Sequence, residues 1–170
     1  MESTTVMILI AVVAVAGIAA WFFINKKTAT VAASNTATPV SAASKEMQLQ
    51  AYERLTLLAD RIALPNLIPR VNQPGLTARD MQMLLTLSIK EEFDYNITQQ
   101  IYVSYDAWTV VKQLKEQSTL IVNQVAHQLP ADATGADLNR VLIEFLMNDP
   151  KGKLHEMACE IISSEAKKIM

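Results

Sequence analysis

Three features of this 170-residue chain predict an all-α fold behind a membrane anchor. An uninterrupted apolar run lies near its N-terminus, five apolar stripes at helical spacing follow, and the one β-branched stretch has no second strand to pair with. The expected organisation is a tail (1–5), a transmembrane helix (6–24), a Lys pair with an Ala/Thr/Ser-rich tether (25–44), and a soluble bundle of about five helices (45–170).

The anchor is read from Val6 to Ile24, VMILIAVVAVAGIAAWFFI, nineteen residues without a charge. At about 1.5 Å per residue a helix of that length matches a hydrocarbon core of about 30 Å. Lipid offers the backbone no hydrogen bonds, so such a run spans as a helix. A cleavable signal peptide would need a basic start and a shorter apolar region. Here the first five residues hold one acid and no base, and the run ends in bulky Trp21, Phe22 and Phe23. Lys26 and Lys27 follow the span directly, whereas only Glu2 precedes it. Basic residues resist translocation, so the sequence places the N-terminus outside and the C-terminal domain in the cytoplasm of a cell (inner) membrane protein. Trp21 then sits at the cytoplasmic boundary, where an amphipathic ring is favoured. A small-residue pair, Ala16 and Ala20 beside Gly17, permits close helix approach but recurs too easily in this span to carry weight.

Thr28 to Ser44 has no charge and no aromatic residue, and cannot offset the entropy of ordering it, which predicts a flexible tether. The first soluble helix is expected from Lys45 to about Ala63, with Leu49, Tyr52, Leu55, Leu58 and Ile62 on one face. Leu64 to Gly75 contains three prolines and is expected to be a packed loop or docking surface, not a helix. Thr77 with Asp80 signals the next helix start, and Met81, Met83, Leu84, Leu85, Leu87 and Ile89 cover most of that helix, which predicts a central position. Ile97 to Ser104 reads as a connector. A long helix is expected from about Ser104 to Leu129, with Trp108, Val111, Leu114, Ile121, Val122 and Val125 inward. Thr134 with Asp137 repeats the cap before a helix striped by Leu138, Val141, Leu142, Phe145 and Leu146; Asp149-Pro150 breaks it. The last stripe is Leu154, Met157, Ala158, Ile161, Ile162 and Ile169.

The runs LQAYERLTLLADRIALPNLIPRV (Leu49 to Val71) and IKEEFDYNITQQIYVSYDAWTVVKQLKEQ (Ile89 to Gln117) resemble a bacterial family of uncharacterised single-pass membrane proteins, a domain of unknown function. That resemblance implies the same architecture and no activity, cofactor or catalytic residue.

Charge and motifs narrow the chemistry. Residues 45–170 hold thirteen Lys and Arg against sixteen Asp and Glu, without a basic stripe, which argues against nucleic acid as a partner. One Cys excludes an internal disulfide framework. Four glycines are too scattered to cradle a phosphate. His155 and Cys159 are i, i+4, yet two ligands do not make a metal site, so no metal and no cofactor is expected.

Two clusters remain. Glu91, Glu92 and Asp94 with Tyr95 could perform acid–base chemistry if buried in unlike environments, and otherwise form a solvated helix end. Phe93, Tyr95, Tyr102, Tyr105 and Trp108 fall within sixteen residues. The first four form a candidate partner surface, while Trp108 continues a core stripe. The leading functional reading is a membrane-tethered adaptor or scaffold that binds a protein partner or itself, held to the bilayer through Val6 to Ile24. The alternative is a membrane-anchored enzyme built around Glu91, Glu92, Asp94 and Tyr95.

Overall fold

The stripes fold as the spacing requires. The computed structural model describes residues 42–148 and 154–170, in which α1 (Ala42–Ile62), α2 (Leu64–Val71), α3 (Ala78–Tyr95), a 3-10 turn η1 (Ile97–Ile101), α4 (Tyr105–Gln128), α5 (Gly135–Asn148) and α6 (Leu154–Lys167) follow in order. There is no strand among these residues. The expected span Val6–Ile24, with Trp21, Lys26 and Lys27, lies outside them, as does the Asp149-Pro150 break. Among the described residues no helix is long and apolar enough to cross a membrane.

Val40–Met170 forms one compact unit. Its core joins Leu55, Leu58 and Ile62 of α1 to Met81, Leu85 and Ile89 of α3, Val111 and Val122 of α4, Leu138 and Leu142 of α5, and Ile162 of α6, all without solvent contact. Each such side chain contributes roughly 1.5–3 kcal/mol relative to exposure. α3 touches α1, α2, α4, α5 and η1, so its expected central place is what the packing shows. Its surface is nevertheless not apolar all round inward: Met83 and Leu87 point outward, 56% and 50% exposed. Met157, expected in the α6 stripe, is likewise exposed, whereas Ala158 and Ile162 hold that helix in place.

The proline-rich segment corrects the sequence reading, and raises the count to six α-helices among the described residues. Leu64–Val71 is helical. Pro65 occupies the first turn, where its missing N–H has no intrahelical partner to lose. Pro69 does forfeit one bond, but Leu64, Leu67 and Ile68 are buried by the same helix and offset it. The junction with α1 is tied by side chains. Asn66 Nδ2 donates to the Asp60 carbonyl (3.2 Å) and carboxylate (2.8 Å), and Arg70 Nη2 donates to the Arg61 carbonyl (2.9 Å). Carbonyls freed at the end of α1 are thereby satisfied.

The two cap signals lie side by side. Thr77 Oγ1 accepts the Asp80 N–H at 3.2 Å, and Thr134 Oγ1 accepts the Asp137 N–H at 3.2 Å. An isolated antiparallel bridge joins Thr77 and Thr134, with Ala78 N–H donating to the Ala133 carbonyl (2.9 Å) and Gly135 N–H to the Leu76 carbonyl (2.8 Å). The starts of α3 and α5 therefore hold one another. A Cβ at Gly135 would meet the Leu76 carbonyl and Met81 Cβ at 3.2 Å each, so close approach of the backbones selects glycine there.

Candidate functional site

An open concavity forms where α1 and α3 meet. Arg54, Leu57, Leu58 and Arg61 recur at i, i+3, i+4 and i+7 on one face of α1, opposite Glu91, Glu92 and Tyr95 at the end of α3. With Asn96 they line an open groove of about 580 Å³. Leu58 is fully buried at its floor, while Leu57 (62% exposed) and Tyr95 (78%) stand on the rim. Asn96 closes it: its N–H bonds the Phe93 carbonyl (3.1 Å) and its Nδ2 donates to the Glu92 carbonyl (2.9 Å), ending α3.

Glu92 is the electrostatic hub of this groove. Its Oε1 accepts from Arg61 Nε (2.8 Å) and Nη2 (2.5 Å), and Arg70 Nη1 stands 3.6 Å away. Two guanidinium groups from separate helices are thus positioned by one carboxylate. Arg54 has no ion-pair partner among the described residues. Asp94 does not line the groove; it accepts from Lys90 Nζ at 2.6 Å along the outside of α3. Of the four residues of the acid–base cluster the structure brings Glu91, Glu92 and Tyr95 together and turns Asp94 away.

The aromatic cluster divides similarly. Phe93 is 6% exposed, its ring centroid 5.1 Å from that of Trp108 at 37°, with Lys115 Nζ 4.7 Å above it. Position i+2 from Glu91 on a helix faces elsewhere, so Phe93 belongs to the core and not to a partner surface. Tyr95 (78%), Tyr105 (74%) and Tyr102 (39%) are exposed. Tyr95 belongs to the groove, and the other two flank the far end of η1.

His155 and Cys159 do approach one another, with Nε2 3.4 Å from Sγ, and Asp60 Oδ1 lies 3.7 Å from the same nitrogen. Thiol and carboxylate compete for one imidazole atom, so the ring cannot relay a proton between them. Burial, then the Asp60 charge, pushes the Cys159 thiol above its ordinary value, the opposite of an activated nucleophile. Among the described residues no group of three or more His, Cys, Asp or Glu side chains could hold a metal ion.

Sequence reading missed Arg54, Leu57, Arg61, Arg70 and Asn96. Arg61 and Arg70 close the last turns of two consecutive helices, and their convergence is visible only once Leu64–Val71 is known to fold back as a helix.

A fold of this kind, a helical bundle with one open, charged groove, defines a class without an activity. The chain belongs to the family of unknown function DUF7935, whose model matches residues 2–169. No curated protein and no solved structure matches it.

Proposed function

We propose that the protein is a membrane-tethered interaction module, anchored through Val6 to Ile24 with its helical unit in the cytoplasm, and that the α1–α3 groove receives a segment of a protein partner. The observation that carries this reading is the groove's lining: Leu57 and Tyr95 expose large apolar area in the same groove as Arg54, which has no ion-pair partner among the described residues. Such a surface suits a segment that presents an apolar side chain next to a carboxylate, since aromatic and Arg side chains dominate binding energy at interfaces. Glu92 supports it by fixing Arg61 and Arg70, so that little side-chain entropy is lost on docking. The enzyme alternative draws less support. Glu92 is engaged by two arginines and Asp94 by Lys90, so the carboxylates do not converge on a common point.

The test places a photoreactive residue at Leu57 of the full-length chain in intact cells. A discrete protein adduct, lost on Arg54→Glu or Tyr95→Ala while the chain stays in the membrane fraction, is the expected result. Adducts that persist in both variants would sink the groove as the docking site. Retention through a high-salt wash and release only by detergent tests the anchor separately, because burial of an apolar span is not an ionic association.

A further inference from the structure

The turn from α3 to α4 exposes a run of uncharged, largely apolar side chains. From Asn96 to Tyr105 no side chain is charged. Ile101 is 72% exposed, Tyr105 74%, Ile97 43% and Tyr102 39%. Their outward direction is not a result of a loose segment. η1 is closed by Gln99 N–H to the Asn96 carbonyl (3.0 Å) and Tyr102 N–H to the Gln99 carbonyl (3.0 Å). Val103 packs against the core, and the Ser104 N–H donates to Tyr52 Oη at 2.8 Å. The corner is therefore a fixed platform, with isoleucines and tyrosines outward and the Gln99, Tyr102 and Ser104 N–H groups bonded within it.

We propose that this corner, Ile97, Ile101, Tyr102 and Tyr105, rests in the headgroup–acyl boundary of the bilayer, giving the helical unit a second, reversible membrane contact. The inference rests on the anchored reading above. Two observations favour lipid over another occupant. Tyrosine combines an apolar ring with a hydroxyl that stays hydrated, the chemistry enriched at membrane boundaries. The edge of the corner is electrically balanced: Lys168, just past the end of α6, pairs with Glu165, which also reaches Ser104, and lies within electrostatic reach of Asp106, so no net charge of either sign opposes an anionic or a neutral headgroup. Finally, only seventeen residues separate Ile24 from Ala42, a reach of at most about 60 Å fully extended. The corner is bonded to α1 ten residues after Ala42, so a bilayer holding the span is an apolar phase always close to it.

The experiment uses the full-length chain reconstituted into vesicles of phosphatidylethanolamine and phosphatidylglycerol. Nitroxide labels are placed singly at Ile101→Cys, Tyr105→Cys and the control Met147→Cys, in a Cys159→Ser background. Met147 is 81% exposed on α5, next to Leu146, which lies near Ala63 at the far end of α1. Every labelled position is exposed, and an unchanged helical circular dichroism spectrum confirms the fold. Collision with an aqueous nickel chelate should fall severalfold at 101 and 105 relative to 147, with collision with oxygen rising. Labels at 101 and 105 as open to nickel as 147, in chains that resist an alkaline wash, would overturn this inference and leave the anchor standing. Protection that depends on the protein-to-lipid ratio and comes with label–label broadening would assign the corner to a second copy and overturn it too. Chains stripped from vesicles by the alkaline wash would overturn the anchor, and this inference with it.

Discussion

The phenolic oxygen of Tyr52 accepts the backbone N–H of Ser104 at 2.8 Å, joining residues 52 positions apart in the chain. Ser104 is itself the N-cap of α4, its Oγ accepting the Ala107 N–H at 3.2 Å, so one tyrosine fixes both the exit from η1 and the start of the longest helix. Tyr52→Phe keeps the ring, which is 5% exposed, and removes only the acceptor. A partly buried N–H then loses its partner, at a cost of about 1–3 kcal/mol. A lower urea midpoint with an unchanged slope is expected; equal midpoints would show that water replaces the phenol without loss.

Glu92→Ala releases Arg61 and Arg70 together. Arg61 is half exposed, so the stability lost is modest, about 1 kcal/mol. The larger effect is on groove order. A nitrogen-15 label on the guanidinium groups should show faster side-chain motion at both arginines in the variant. Motion confined to Arg61 would mean that the 3.6 Å approach of Arg70 carries no restraint.

Gly75 and Gly135 respond to alanine for different reasons. Gly75 has φ +85 with open space around it, so Gly75→Ala meets backbone strain of roughly 1–2 kcal/mol and no clash. Gly135 has no positive φ, but its new methyl would press on the Leu76 carbonyl and on Met81, which is fully buried. Overpacking of that kind costs about 1–3 kcal/mol. Amide exchange separates the two: Gly135→Ala should accelerate exchange at Ala78, whose N–H makes the other hydrogen bond of the bridge, and Gly75→Ala should not.

Acid should weaken the fold through two carboxylates. Asp137 is held below its ordinary value by the Thr134 hydroxyl and N–H and then by Arg140, and Glu165 by Lys168 and then Ser104. Both bind protons less readily folded than unfolded. Their contribution is thus in place above the ordinary carboxylate value of about 4 and is lost as pH falls through the depressed folded values. Asp137→Asn should lower the urea midpoint near neutral pH, and that deficit should shrink toward about pH 3 as the wild type protonates. A deficit independent of pH would assign the effect to lost geometry and not to charge.

Sequence patterning carried most of the fold because its signals are local. The Thr77/Asp80 and Thr134/Asp137 caps depend on neighbours three residues apart, and the inward stripes of α1 and α4 depend only on helical period. Helix Leu64–Val71 was hidden because proline density outweighs an eight-residue stripe until the burial of Leu67 and Ile68 is known. The start of α1 at Ala42, three residues before the expected Lys45, lies within the usual uncertainty of helix ends. The site was half legible. Acids and aromatics announce themselves by clustering, and Tyr95 and Glu92 were found that way. The groove is made by α1 lying against α3, and the spacing from Arg61 to Glu92, 31 residues, leaves no local mark. Phe93 shows the same limit in reverse: a residue in an aromatic cluster is core or surface according to the helix face it occupies, and Trp108 decides that.

The placement of α1 has a mechanical consequence. It touches α2, α3, α4, α6 and η1, and it is the element by which the described unit continues toward the chain's N-terminus. α6 runs antiparallel to it, with His155 beside Asp60 at one end and Lys168 near Tyr52 at the other. Tension entering from the N-terminal side would load α1 in shear along its own axis, against several neighbours at once. An edge helix under the same pull would unzip turn by turn. A rod drawn lengthwise past several neighbours slides against all of them at once, and Ala51 and Tyr52 are the first buried side chains such a pull would meet.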